Sequence, residues 1–303
     1  MKKIFSCITC IAIISAFSCH SKIVSHKTVV NTESVDSHGN AILLGKCTRE
    51  RLEQPPYSEW FTKNFSDYKV DTTTAVQLRK NISGKSFIIF MGTWCGDSKR
   101  EVPRMYKLLD YCGVKSSDVQ LIMLNSYDSV YKQSPTHEER GMNIHRVPDL
   151  IVLENKNEIG RIVESPVVSL EQDLSDIINA KGYVPNYRIV PLLVKLFNDK
   201  DVKELQSNVQ DIVVTAQPFK KHVAELRSYG HVLIAAGEFD KALVAYKLNA
   251  LLYPDDAGVF ANLGEFYMKT GNKALAKENY EKTLALQPNN DNAKKQIELL
   301  QQQ

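Results

Sequence analysis

The spacing of apolar positions changes several times along the chain, and each change marks a different kind of element. Residues 4–17 form a mainly apolar, uncharged stretch behind Lys2 and Lys3. Residues 20–41 then carry no apolar period and are rich in Ser, Thr, His and Asn, the composition of a linker. Residues 87–91 read Phe-Ile-Ile-Phe-Met between Gly84 and Gly92, a run that predicts a strand buried on both faces. Immediately after it, Val102, Met105, Tyr106 and Leu109 fall at i, i+3, i+4 and i+7. Lys99, Arg100, Glu101, Arg104 and Lys107 occupy the remaining surface, so an amphipathic helix follows the strand. Further strands are predicted at 119–124 and 159–163. Ser169 with Glu171 and Gln172 is a capping-box pattern that opens another helix.

Past residue 222 a longer period takes over. Gly237 and Gly271, Ala242 and Ala276, Tyr246 and Tyr280, and Pro254 and Pro288 are each 34 residues apart. That is the tetratricopeptide period, with small residues where paired helices touch and a proline after each second helix, and the segment resembles that repeat family. It predicts repeats at 223–256 and 257–290 and a capping helix over 291–300. Leu226 and Phe260 stand where the family's consensus has Trp. Residues 185–222, with Leu192, Leu193, Leu196 and Phe197, predict a helical connector or a degenerate extra pair. Such arrays bind proteins or peptides, so a protein partner is expected there; a structural extension or dimer surface is the alternative.

A hydrophobic content of 43% fits a folded chain. The net charge is +3, with Lys and Arg spread along the sequence, which speaks against nucleic acid as a partner. The apolar stretch at 4–17 is too short to span a bilayer and has the length of a secretory signal. With Ala16-Phe17-Ser18-Cys19 it resembles a bacterial lipoprotein signal. The expectations are a signal peptide over 1–18, lipidation of Cys19, and a lipid anchor with a flexible tether over 19–41. That places the protein in the cell envelope, facing the periplasm or the outer surface; the alternatives are ordinary secretion with cleavage elsewhere, or an uncleaved anchor. Cleavage there would remove two lysines and no acid, leaving 3 − 2 = +1. His20, His26 and His38 are too irregularly spaced to suggest a metal site, and no cofactor is called for.

Cys95 falls at the turn between the predicted strand and helix, where free N–H groups and the positive end of the helix dipole favour a thiolate. Here the residues resemble the thioredoxin superfamily. Trp94-Cys95-Gly96 matches its active-site start, and Pro103 lies eight residues past the cysteine. Residues 143–153, with Val147-Pro148, match the segment that presents a cis-proline to the active cysteine. More narrowly, Trp-Cys-Gly-Asp-Ser-Lys is like a group of thioredoxin-like lipoproteins. The resemblance spans roughly residues 57–182. It implies a thioredoxin fold over 42–184, a central mixed sheet flanked by helices, followed by the all-α repeat domain. It further implies that Cys95 is the nucleophile, with Ser98 as its active-site companion. Trp94, Gly96, Asp97, Val147 and Pro148 (cis) would line the client groove.

Two departures matter. Ser98 replaces the second cysteine and cannot close a disulfide, and Ile89 stands where thioredoxins carry a buried acid. A mixed disulfide at Cys95 would therefore wait for an outside thiol, a client cysteine or another cysteine of this chain. Cys112, 17 residues on, is about 25 Å away along a helix, out of disulfide reach, and reads as a buried small hydrophobe. Cys47, in a segment read as irregular, is a possible resolving partner or a structural thiol. His137 and His145 fit packing or surface roles better than a Cys-His nucleophile. The polar stretch 125–143 is either a client-selecting insertion or an enlarged connection. The expected function is thiol–disulfide exchange with cysteine-containing clients; the alternative is a non-catalytic scaffold with the same groove.

Overall fold

The computed structural model describes residues 29–302. The signal segment and Cys19 lie outside the described residues.

Six strands form one sheet in the order β1-β2-β4-β3-β5-β6. They are β1 (Thr32–Val35), β2 (Ala41–Cys47), β3 (Lys85–Met91), β4 (Val119–Met123), β5 (Asp149–Glu154) and β6 (Asn157–Val163). Only β3 and β4 run parallel; every other pair is antiparallel. The apolar run of β3 has the predicted cause, because both faces of the sheet are covered. Phe87, Ile89 and Met91 join the larger core with Leu121, Met123, Leu150 and Val152. Ile88 and Phe90 join a smaller one with Ile122, Leu124, Ile144, Val147 and Ile151. Fully burying each such side chain contributes about 1.5–3 kcal/mol, so positions 87–91 leave no place for a polar residue.

Helices α1 (Arg49–Leu52), α2 (Ser58–Asp67), α3 (Thr72–Asn81), α4 (Gly96–Tyr111) and α5 (Leu170–Ile178) belong to this half. Ser169 caps α5 by accepting from the Gln172 N–H at 3.1 Å, as its pattern predicts.

Two expectations need correction. The tether does not extend to residue 41, because β1 pairs with β2 from Thr32↔Leu44 to Val35↔Ala41. Asp36 makes the turn: its carboxylate accepts from the N–H of His38 (2.8 Å) and of Asn40 (2.9 Å). An edge strand with no fully buried position carries no apolar period, which is why it resembles linker. Cys47 likewise ends a regular strand rather than lying in irregular chain; it pairs with Leu121 and belongs to the larger core.

The second half is helical: α6 (Ile189–Asp199), α7 (Val202–Ser207), α8 (Val209–Ala216), α9 (Ala224–Ala235), α10 (Phe239–Leu252), α11 (Ala257–Lys269), α12 (Lys273–Leu286) and α13 (Asp291–Gln301). The 34-residue pairs recur as equivalent contacts. Gly237 and Gly271 take φ of 78° and 79° at the turns within each helix pair, a region open to glycine. Ala242 and Ala276 are fully buried. Tyr246 packs on Gly230 and Tyr280 on Gly264, so closely that a Cβ at either glycine would enter the ring. This further 34-residue pair, Gly230 and Gly264, is the sequence signal that the period analysis overlooked.

The halves meet along α9. Ser228 of α9 donates to the His145 carbonyl at 2.5 Å across the boundary, and within the helical half Glu225 accepts from the first N–H groups of α6, Ile189 (2.7 Å) and Val190 (2.9 Å). The His145 ring lies edge-on to Tyr187 and Tyr229 at 5.7 and 6.2 Å.

Candidate active site

The site is built at the carboxyl end of β3. Cys95 is the N-cap of α4 in extended conformation, and no side chain caps that helix. Its N–H donates to Gly92 O (3.0 Å) and its carbonyl accepts from Lys99 N (3.0 Å), which fixes the turn. The thiol is half-buried, and Sγ lies 3.4 Å from the carbonyl oxygen of Val147. The Val147–Pro148 bond is cis. Two segments 52 residues apart therefore meet at one sulfur.

Trp94 anchors the loop by donating from Nε1 to Leu124 O at 2.8 Å. Gly92 makes room for it, since a Cβ there would enter the indole ring. Gly92→Ala is accordingly expected to evict the indole from its carbonyl. Trp94 emission, read in a Trp60→Phe background, should shift to the red; unchanged emission would show that the loop tolerates the methyl group.

Ser98 is fully buried, and its hydroxyl accepts from the Gly92 N–H at 3.4 Å, so it braces the loop. Asp97 pairs with Arg100 at 2.7 Å, and Arg100 also holds the buried Glu101 at 2.7 Å. The charge of Asp97 is thus engaged along α4. Gly96 is the first residue of that helix, with open space where a Cβ would go.

The structure does not bring Cys47 to Cys95. Cys47 packs in the larger core, whereas Cys95 packs against the smaller core on the other face of the sheet. Burial pushes the Cys47 thiol up to about 12. Cys112, at the end of α4, is pushed up to about 11 by the same cause. Both are poor nucleophiles. His137 contacts Glu139 (3.1 Å), and His145 is a buried packing residue.

The stretch 125–143 contains one 3₁₀ turn and no α-helix. Asn125 closes its first part: its N–H donates to Gln133 O (2.9 Å), and its carbonyl accepts from Lys132 N (3.0 Å). This closure places Tyr131 against Trp94, ring centroids 6.2 Å apart, and seats Lys132 beneath both. Lys132 is 3% exposed with φ of 54°, a left-handed conformation unusual outside glycine. Its ammonium lies 3.7 Å from the Tyr131 ring centre and 5.9 Å from that of Trp94. It donates to the Tyr131 hydroxyl and, at 3.1 Å, to Ser228 Oγ of α9. Ser228 in turn donates to the His145 carbonyl at 2.5 Å, two residues before Val147. Sequence reasoning missed Tyr131, Lys132 and Ser228 as site residues. A lysine in a polar loop reads as solvated, and only the approach of α9 buries it.

Among the described residues no helix is long and apolar enough to cross a membrane, and no cluster of three metal-ligating side chains occurs.

No curated protein matches the chain. The tetratricopeptide repeat family matches residues 257–290, which hold α11 and α12. The helical half therefore carries a tetratricopeptide repeat, a module that generally mediates contact between proteins.

Proposed function

We propose that this chain is an exported, lipid-anchored, thioredoxin-like protein that exchanges disulfides through the single thiol of Cys95 and uses its repeats to hold a protein partner. The observation that carries this is the Cys95 sulfur, half-buried at an uncapped helix start and 3.4 Å from the carbonyl preceding Pro148. The mixed sheet, with β3 feeding α4 and β5 following the cis-proline, is compatible with a thioredoxin fold. In the reaction, the Cys95 thiolate attacks one sulfur of a client disulfide. A Cys95–client bond forms, the client's S–S bond breaks, and the second client sulfur leaves as a thiolate. With serine at 98, an outside thiol completes the cycle.

Trapping tests this. Cys95→Ser should abolish every mixed disulfide with client proteins, while Ser98→Cys should raise dithiothreitol-driven insulin reduction at least tenfold by adding an internal escape route. A second reading, a groove retained for binding without turnover, is favoured by the burial of Ser98 and by the apolar Ile89. It gains if wild type and Cys95→Ser trap nothing and are equally inactive on insulin.

A further inference from the structure

Lys132 is a buried cation whose two hydrogen-bond partners are neutral hydroxyls. No carboxylate among the described residues forms an ion pair with it. Leaving water without a counter-charge is costly, so the ammonium gives up its proton more readily here unless a nearby negative charge holds it. We propose that Lys132 is the charge partner of Cys95, and that α9, through Ser228, holds it in place so that the repeat half sets the reactivity of the thiol.

The groups around Lys132 come from four directions. Tyr131 is on its own loop; Arg146 and Glu164, paired at 3.1 Å, flank it, with His145 beyond; Cys95 lies at the start of α4; Ser228, Arg227 and His231 are on α9. Burial, then Arg146, pulls the Lys132 amine down to about 7, while Cys95 and Glu164 act to keep its proton on. Near neutral pH this amine therefore exists in both forms. The Trp94–Tyr131–Lys132 stack abuts the thiol from two sides: Trp94 immediately precedes Cys95, and Ser228, which holds Lys132, bonds the His145 carbonyl two residues before the Val147 oxygen that meets Sγ.

The inference rests on Cys95 being the reacting group and adds a charge to its exchange step. The Lys132 ammonium favours the thiolate of Cys95, whose proton goes to solvent, and the thiolate attacks the client disulfide. The Cys95–client bond forms, the client S–S bond breaks, and the departing client thiolate takes a proton from solvent. The sum is one thiol and one disulfide converted to a mixed disulfide and a client thiol, with no proton gained or lost. Because Lys132 acts through Cys95, it is a positioning residue, and Ser228 positions it in turn.

Alkylation of the full chain by iodoacetamide reads the thiol without any client. Cys47 and Cys112 are buried, so among the described residues the expected adduct is at Cys95, and peptide mapping separates it from any at Cys7, Cys10 and Cys19. At pH 7, Lys132→Met should slow alkylation about tenfold, equivalent to about 1.4 kcal/mol. Lys132→Arg should keep most of the rate, and Ser228→Ala should lose about two- to threefold. The gap between wild type and Lys132→Met should be widest below pH 7, where the ammonium is charged, and close by pH 10. A Lys132→Met protein that melts no lower than wild type yet alkylates at the wild-type rate from pH 6 to 9 would overturn the proposal. If Lys132→Met slows alkylation while wild type forms no mixed disulfide with any client, the charge partnership stands and the exchange function falls.

Discussion

Tyr246→Ala is expected to destabilise the helical half by about 3–5 kcal/mol, the cost of truncating a fully buried aromatic side chain. Tyr246 is 2% exposed, seated on Gly230 of α9, and in edge contact with His231 and Phe266 at 6.0 Å each. It thus joins α9, α10 and α11, and its loss opens a cavity that rigid helices cannot close. Because repeat arrays are stabilised by contacts between neighbours, the loss should spread along the array rather than stay local. Urea denaturation followed by circular dichroism measures it; a loss under 1 kcal/mol would mean that the glycine–tyrosine seat does not hold the helices together. Alkylation of Cys95 in the same variant should slow as well, since α9 carries Ser228.

The second large effect is an acid sensitivity at His145. Burial lowers its imidazole to about 3, with Arg146 and Lys132 adding to the effect and the Asn143 carbonyl opposing it. Nδ1 contacts that carbonyl at 3.2 Å, while Nε2 is buried without a partner, so protonation there would create a donor with nothing to meet. The unfolded chain takes the proton near 6.5 and the folded chain only near 3. Between those values the unfolded state binds more protons, so this residue's contribution is intact above pH 6.5 and is lost as pH falls. At about 1.36 kcal/mol per pH unit, the full effect is at most about 5 kcal/mol. Glu225 and Asp149, both pushed up to about 7 by burial, act in the opposite sense, losing stability as pH rises through 7. The useful measurement is therefore the difference between wild type and His145→Phe, which keeps the ring contacts with Tyr187 and Tyr229. Relative to the variant, wild type should lose stability from pH 6.5 down to 4; parallel curves would refute the assignment.

What could be read from residues alone follows the range of the interactions involved. β3 and α4 were legible because a strand covered on both faces is continuously apolar and a helix covered on one face is periodic. The Cys95 turn follows from their junction. The helix pairs were legible because one contact set recurs every 34 residues. The β1–β2 hairpin was not, because β1 is an edge strand whose residues repay no burial and whose turn rests on one aspartate. The cis-proline and its place beside Cys95 came from resemblance, and the sheet register brings the two together. Lys132 left no local trace. Its burial comes from Ser228, 96 residues away, and a contact of that separation has no period to betray it.

One consequence of the Ser228–His145 contact concerns how such an array can change in length. Repeat proteins ordinarily grow or shrink by whole units at either end, because each unit touches only its neighbours. Here α9, the first helix of the repeat at 223–256, is bonded to the other half through Ser228, and a unit inserted between α9 and its partner α10 would disturb that attachment. Additions are free only at the far end, past α12, where α13 now forms the lid.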